Sequence, residues 1–106
     1  MLPTRFFSEK QEKQVAKIVG GRRTSNSGAS NFCAGDVTTE TLLYECKTVT
    51  KPVKSYSIKK EVLDKIHKEA FEMGKENAVL AFNFEPSGKN YFVLTEEHYK
   101  QLIQNK

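Results

Sequence analysis

The sequence predicts an α/β domain, a mixed sheet flanked by helices, with elements in the order α-β-β-β-α-β-β-α. Three observations predict it. Apolar residues recur at helical spacing in three separate stretches, and the runs between them are short and rich in β-branched and aromatic residues. Those strand runs fall into a group of three and a group of two, separated by the longest helical stretch, which is the pattern of a mixed sheet with helices on its faces. The length of 106 residues suits one domain spanning 1–106, because two cores would each fall below the size that folds comfortably alone.

Each element has a local reason. Ser8 can cap a first helix, and Gln11 three residues on completes a capping-box pattern. Residues 1–7 then form an N-terminal arm carrying Phe6 and Phe7. The helix runs through Val15, Ala16 and Ile18, and Gly20-Gly21 stops it. Arg22–Ser25 reads as a short strand. The stretch Thr24–Gly35, rich in Ser, Asn, Gly and Ala, is too polar and small-sided for a core element. Gly35–Thr38 and Thr41–Val49 read as two strands joined at Thr39-Glu40, and Pro52 bars continuation. From Ile58 to Lys75 the positions Ile58, Val62, Ile66, Ala70 and Met73 mark a long helix, with Leu63 and Phe71 widening its apolar stripe. The unbroken apolar run Ala78–Phe84 suits a strand covered on both faces. Pro86-Ser87-Gly88 turns the chain into a strand at Tyr91–Leu94. Thr95 caps a final helix carrying Tyr99, Leu102 and Ile103.

Composition narrows the function classes. No apolar run approaches the ~18 residues of a membrane span. The N-terminus lacks the apolar core and cleavage site of a secretory signal. Two cysteines, Cys33 and Cys46, make neither a disulfide framework nor a zinc ligand set, so a reducing, cytoplasmic setting is expected. Residues 1–60 hold 11 Lys/Arg against 5 Asp/Glu, whereas residues 61–106 hold 6 against 8. A basic half points to an anionic partner, nucleic acid being the usual one.

The sharpest chemical feature is Asp36 followed by Glu45-Cys46-Lys47. Side chains alternate along a strand, so Glu45 and Lys47 share a face while Cys46 points the other way into packing. A hairpin turning near Thr39–Thr41 brings Asp36 opposite Glu45. Two neighbouring carboxylates raise each other's pKa unless a cation joins them, and Mg²⁺, with Mn²⁺ as a substitute, suits such oxygen ligands. Lys47 beside them can orient water or stabilise a phosphoryl transition state. Glu12, in mid-helix, is a candidate third acid. Arg22, Arg23, Ser25, Asn26 and Ser27 around the polar loop offer phosphate contacts, as do Lys51, Lys54, Lys59 and Lys60 before the long helix. His67 and His98 lack ligand spacing and read as surface or boundary residues.

These residues carry a resemblance. QEKQVAK (11–17), GGRRTSNSGAS (20–30), GDV (35–37), YECKT (44–48), the stretch 56–84 and YFVL (91–94) together resemble the Holliday-junction resolvases of archaea and of phages of Gram-positive bacteria, within the PD-(D/E)xK nuclease superfamily. The resemblance covers about 90 of the 106 residues; Gly35 stands where the superfamily name has proline. It implies a restriction-endonuclease-like fold and a metal-dependent DNA endonuclease that cuts four-way junctions. Asp36, Glu45 and Glu12 would be its metal-binding acids and Lys47 its catalytic lysine. Ser27, or alternatively Ser25, would be the loop serine near the scissile phosphate. It further implies a homodimer acting on branched double-stranded DNA, in a bacterial host cell if the chain is phage-encoded. The alternatives are a nuclease of the same fold with another DNA target (a nickase, repair or homing enzyme) and a non-catalytic DNA-binding module.

Overall fold

A computed structural model describes residues 3–24 and 36–105. The candidate residues Ser25, Asn26 and Ser27, with Cys33 and Gly35, lie outside the described residues.

Helix α1 spans Thr4–Val19. Its N-cap is Pro3, not Ser8. Proline's fixed φ and missing N–H suit a helix start, where that donor would be orphaned anyway. Ser8 lies inside the helix, its hydroxyl donating to Thr4 O at 3.4 Å. The expected arm is therefore helical from Thr4 onward. Phe6 and Phe7 belong to its early turns and pack edge to face at 5.3 Å. The helix ends as expected at Gly20, left-handed at φ 70°, and Gly21 N donates back to Ala16 O at 2.9 Å. A Cβ on Gly21 would stand 2.5 Å from Thr38 O, so only glycine permits this approach of α1 to the sheet.

Five strands follow: β1 (Arg22–Arg23), β2 (Val37–Thr38), β3 (Leu42–Lys47), β4 (Asn77–Phe82) and β5 (Tyr91–Val93). They form one mixed sheet in chain order. β3 and β4 are parallel and the other pairs antiparallel. The β2–β3 turn has no glycine. Thr39 closes it twice, its N–H donating to Leu42 O and its hydroxyl accepting from Leu42 N, each at 3.0 Å. Helix α2 (Lys60–Glu72) bridges β3 to β4, and α3 (Glu96–Gln104) follows β5. Thr95 caps α3, accepting from His98 N at 3.1 Å. Among the described residues no helix is long and apolar enough to cross a membrane.

β4 is the centre of the core. Val79 and Ala81 pack with Val15, Val37 and Tyr44 under α1, while Ala78 and Leu80 pack with Leu43, Ile66 and Ala70 under α2. That is why the sequence there is a continuous apolar run. Alternation along β3 follows: Tyr44 and Cys46 face α1, whereas Leu43, Glu45 and Lys47 face α2.

Three expectations need correction. Ile58 precedes α2 and is exposed. Phe71 is 83% exposed and takes no part in the stripe. At 100° per residue it lies about 140° around the helix from Ile66, and the buried face needs only Leu63, Ile66, Ala70 and Met73. On α3 the buried side chain is His98, while Tyr99, Leu102 and Ile103 remain exposed. His98 is thus a core residue; burial lowers its pKa, with His67 nearby adding to the effect.

Candidate metal and nucleic-acid site

The site forms at the end of the sheet where β3 finishes. The pairing of Val37 with Tyr44 sets Asp36 across from Glu45. Asp36 is fixed by its own backbone, with Asp36 N donating to Tyr44 O at 2.9 Å and Asp36 O accepting from Thr24 N at 3.0 Å. Its Oδ2 accepts from Cys46 N at 2.8 Å. The carboxylate position is therefore set by two strand backbones rather than by a mobile rotamer. Lys47 Nζ lies 3.3 Å from Glu45 Oε2. The adjacency of Asp36, Glu45 and Lys47 expected from alternation is present.

The electrostatics of this face are unfavourable to its own charges. Burial raises the Asp36 pKa, against the opposing pull of the Cys46 N–H bond and of Lys47, Arg23 and Lys65. Burial also raises that of Glu45, and the Asp36 charge adds to it, while Lys47 counteracts. The Cys46 thiol is pushed far above its ordinary value by burial and then by Asp36, Glu12 and Glu45. Cys46 is thus an inert packing residue.

Glu12 lies on α1, buried, and its pKa is raised by burial and by Asp36. It is held by Arg23, whose Nε and Nη2 each approach Glu12 Oε1 to 3.2 Å. Arg23 also comes within 3.9 Å of Glu9. The two residues expected to bind metal and phosphate respectively are thus bound to one another. Among the described residues no group of three His, Cys, Asp or Glu side chains is arranged to hold a metal.

The cationic candidates divide. Lys51, Lys54 and Lys59 are exposed in the stretch leading to α2, and Lys60 opens that helix paired with Asp64 at 2.7 Å. Arg22 pairs with Thr38, at the hairpin end of the sheet away from Asp36. There it lines a polar cavity of about 420 Å³ with Gly20, Gly21, Thr38, Glu40 and Lys75.

The structure gives site roles to two residues for which the sequence reading had none, and Gln11 is not the capping-box residue expected with Ser8. Gln11 is buried in α1, and its Nε2 donates to Lys47 O at 2.9 Å and to Asn90 Oδ1 at 3.1 Å. It ties α1 to the backbone of the candidate lysine. Asn83 is fully buried just beyond β4; its Oδ1 accepts from Val49 N at 3.1 Å and its Nδ2 donates to Thr48 Oγ1 at 2.9 Å. It holds the chain leaving β3. Asn83 had a signal, since it breaks the apolar run AVLAFNF; Gln11 had one too, a polar residue four positions before Val15 on the buried face. Tyr56 stacks on Phe82 at 4.7 Å, beside Lys47 in the sheet register.

No family model, curated protein or solved structure matches the chain.

Proposed function

We propose that the protein is a Mg²⁺-dependent, structure-selective DNA endonuclease of restriction-endonuclease-like fold, whose substrate is the four-way junction. The observation that carries this reading is the Asp36–Glu45–Lys47 face: two half-buried carboxylates facing one another across the β2–β3 pair, with raised pKa values, beside a lysine. Such a pair is poorly stable as two anions, and a divalent cation is the partner that its oxygen donors fit. Mg²⁺ keeps several waters, so two protein carboxylates suffice to hold it.

A bound cation would polarise a phosphodiester oxygen and favour ionisation of water. Asp36, locked by Cys46 N, and Glu45 fix where the charge of the site lies. Lys47 places a cation where negative charge grows as water adds to phosphorus and an ester oxygen leaves. Gln11 keeps the Lys47 backbone in place. Glu12 holds Arg23 close enough to add positive potential at Asp36. Lys51, Lys54, Lys59 and Lys60 would take flanking phosphates, and selectivity would come from backbone geometry. Paired cutting of a junction would need two copies; exposed Ile18, Phe92, Tyr99, Leu102 and Ile103 offer apolar surface for a twofold dimer.

The test is cleavage of a four-way junction, a nicked duplex and a linear duplex, each with Mg²⁺ and with EDTA. Paired cuts in the junction alone, abolished by EDTA, are expected. Cutting of linear duplex would favour another DNA target, and binding without cutting would favour a non-catalytic module. Sedimentation equilibrium should give about twice the 12.1 kDa chain mass.

A further inference from the structure

Beside the carboxylate face lies a cluster of rings that the proposed chemistry does not use. Register places Lys47, Phe82 and Tyr91 side by side across β3, β4 and β5 on one face of the sheet. Phe82, almost buried, stacks with Tyr56 at 4.7 Å and 13° and with Tyr91 at 5.6 Å and 27°. Phe84 meets Tyr91 edge-on at 5.4 Å. The stretch carrying Tyr56 is pinned to this cluster by Val53 N, which donates to Phe84 O at 2.8 Å.

Closing the end of a sheet accounts for Phe82. It does not account for Tyr91, which is 45% exposed at the edge strand. A ring supported from beneath by another ring and open to solvent is a surface on which a further flat ring can stack. The surroundings select the kind of ring. The flanking stretches 49–56 and 84–91 hold Lys51, Lys54 and Lys89 against the single acid Glu85. Lys47 lies two strands in from Tyr91, beyond Phe82. Exposed lysines in the segments that carry the rings are what single-stranded nucleic acid needs, phosphates taking the lysines and bases taking the ring.

We infer that Tyr91, backed by Phe82 and Tyr56, is a stacking platform for one unpaired DNA base next to the candidate cleavage face. A base inside an intact duplex is covered by its neighbours and cannot use the platform. A base freed at a branch point, bulge or flap can. The platform would therefore read DNA structure through base availability and would be indifferent to base identity. The inference rests on the endonuclease reading for its choice of DNA, and it names the feature of the DNA that is recognised.

The test uses the full chain with Ca²⁺ in place of Mg²⁺, and two duplexes of equal length. One is fully paired and the other has a bulged 2-aminopurine. The wild-type protein should bind the bulged duplex more tightly and quench its fluorescence. Tyr91→Ala should lose about tenfold in affinity for the bulged duplex and almost nothing for the paired one. Tyr91→Phe, which keeps the ring, should retain both. Equal affinities of Tyr91→Ala and wild type for the bulge, or equal losses on both duplexes, would overturn the platform. If wild type cuts junctions with Mg²⁺ yet shows no quenching, the platform falls and the nuclease reading stands. If it binds and quenches but never cuts, the nuclease reading falls and the platform stands.

Discussion

The two halves of β3 lead different lives. Leu42, Leu43 and Tyr44 are core: Leu43 is sealed under α2 and Tyr44 under α1. Glu45, Cys46 and Lys47 continue the same strand with the same alternation and the same parallel partner β4. Yet this second half puts a carboxylate where the first puts Leu43, opposite another carboxylate, Asp36. In the first half burial is stabilising, since apolar surface leaves water. In the second half burial works against the charged groups and is tolerated because backbone N–H groups and Lys47 partly compensate. One strand thus carries a stabilising segment and a chemically poised segment, and substitutions should separate them.

The largest expected effect is on the poised half. Glu45→Gln should abolish Mg²⁺-dependent junction cleavage while leaving the thermal midpoint unchanged or higher. Lys47→Ala should lower the single-turnover rate by roughly 10²–10³-fold, about 3 kcal/mol for one charged contact to the transition state, with junction binding retained. A near-normal rate would assign Lys47 to its pairing with Glu45 alone.

The core half should respond in the opposite way. Leu43→Ala should destabilise the protein by about 3 kcal/mol in urea unfolding, the usual range for emptying a sealed leucine site. Loss of well under 1 kcal/mol would show that this half is not the core. Gln11→Leu links the halves. It removes the bonds to Lys47 O and Asn90 Oδ1 and should cost about 1–2 kcal/mol, because these part-buried acceptors lose their donor.

The smallest expected effect is a pH dependence with two opposing parts. Asp36 and Glu45 have folded-state pKa values above their ordinary 3.8 and 4.5. Their contribution to stability is full below those values and is lost as pH rises through the folded pKa. His98 is depressed below 6.5, so its contribution is present above that value and is lost as pH falls through the folded pKa. Thermal midpoints across pH 4–8 should show both slopes. Asp36→Asn should flatten the acid-side slope and His98→Gln the one near neutrality. Mg²⁺ should raise the midpoint at pH 7 for wild type and much less for Asp36→Asn.

Much of this was legible because it depends on alternation and on local breakers. The Asp36–Glu45–Lys47 face follows from a period of two and a short turn. Gly20 and Thr95 mark helix ends by chemistry that needs no tertiary context. What was not legible depends on which neighbour is present. Ser8 and Pro3 both start helices, and only the longer helix shows that Pro3 does so here. Phe71 fits the apolar composition of α2 but not its buried arc. His98 is buried because α3 presents that face to the sheet. The pairing of Arg23 with Glu12 and the bond from Gln11 to Lys47 O join residues of α1 to strands 11 and 36 positions away, which spacing cannot foresee.

Asp36→Asn provides the most direct measurement. The amide keeps the shape of the side chain and an oxygen to accept from Cys46 N, and it removes only the charge. Wild type and Asp36→Asn should be compared for strand cleavage of a four-way junction with Mg²⁺ at neutral pH. Paired cuts by wild type and none by a folded, junction-binding Asp36→Asn are expected. Equal cleavage by both, or no cleavage by wild type on any branched DNA, would contradict the endonuclease reading.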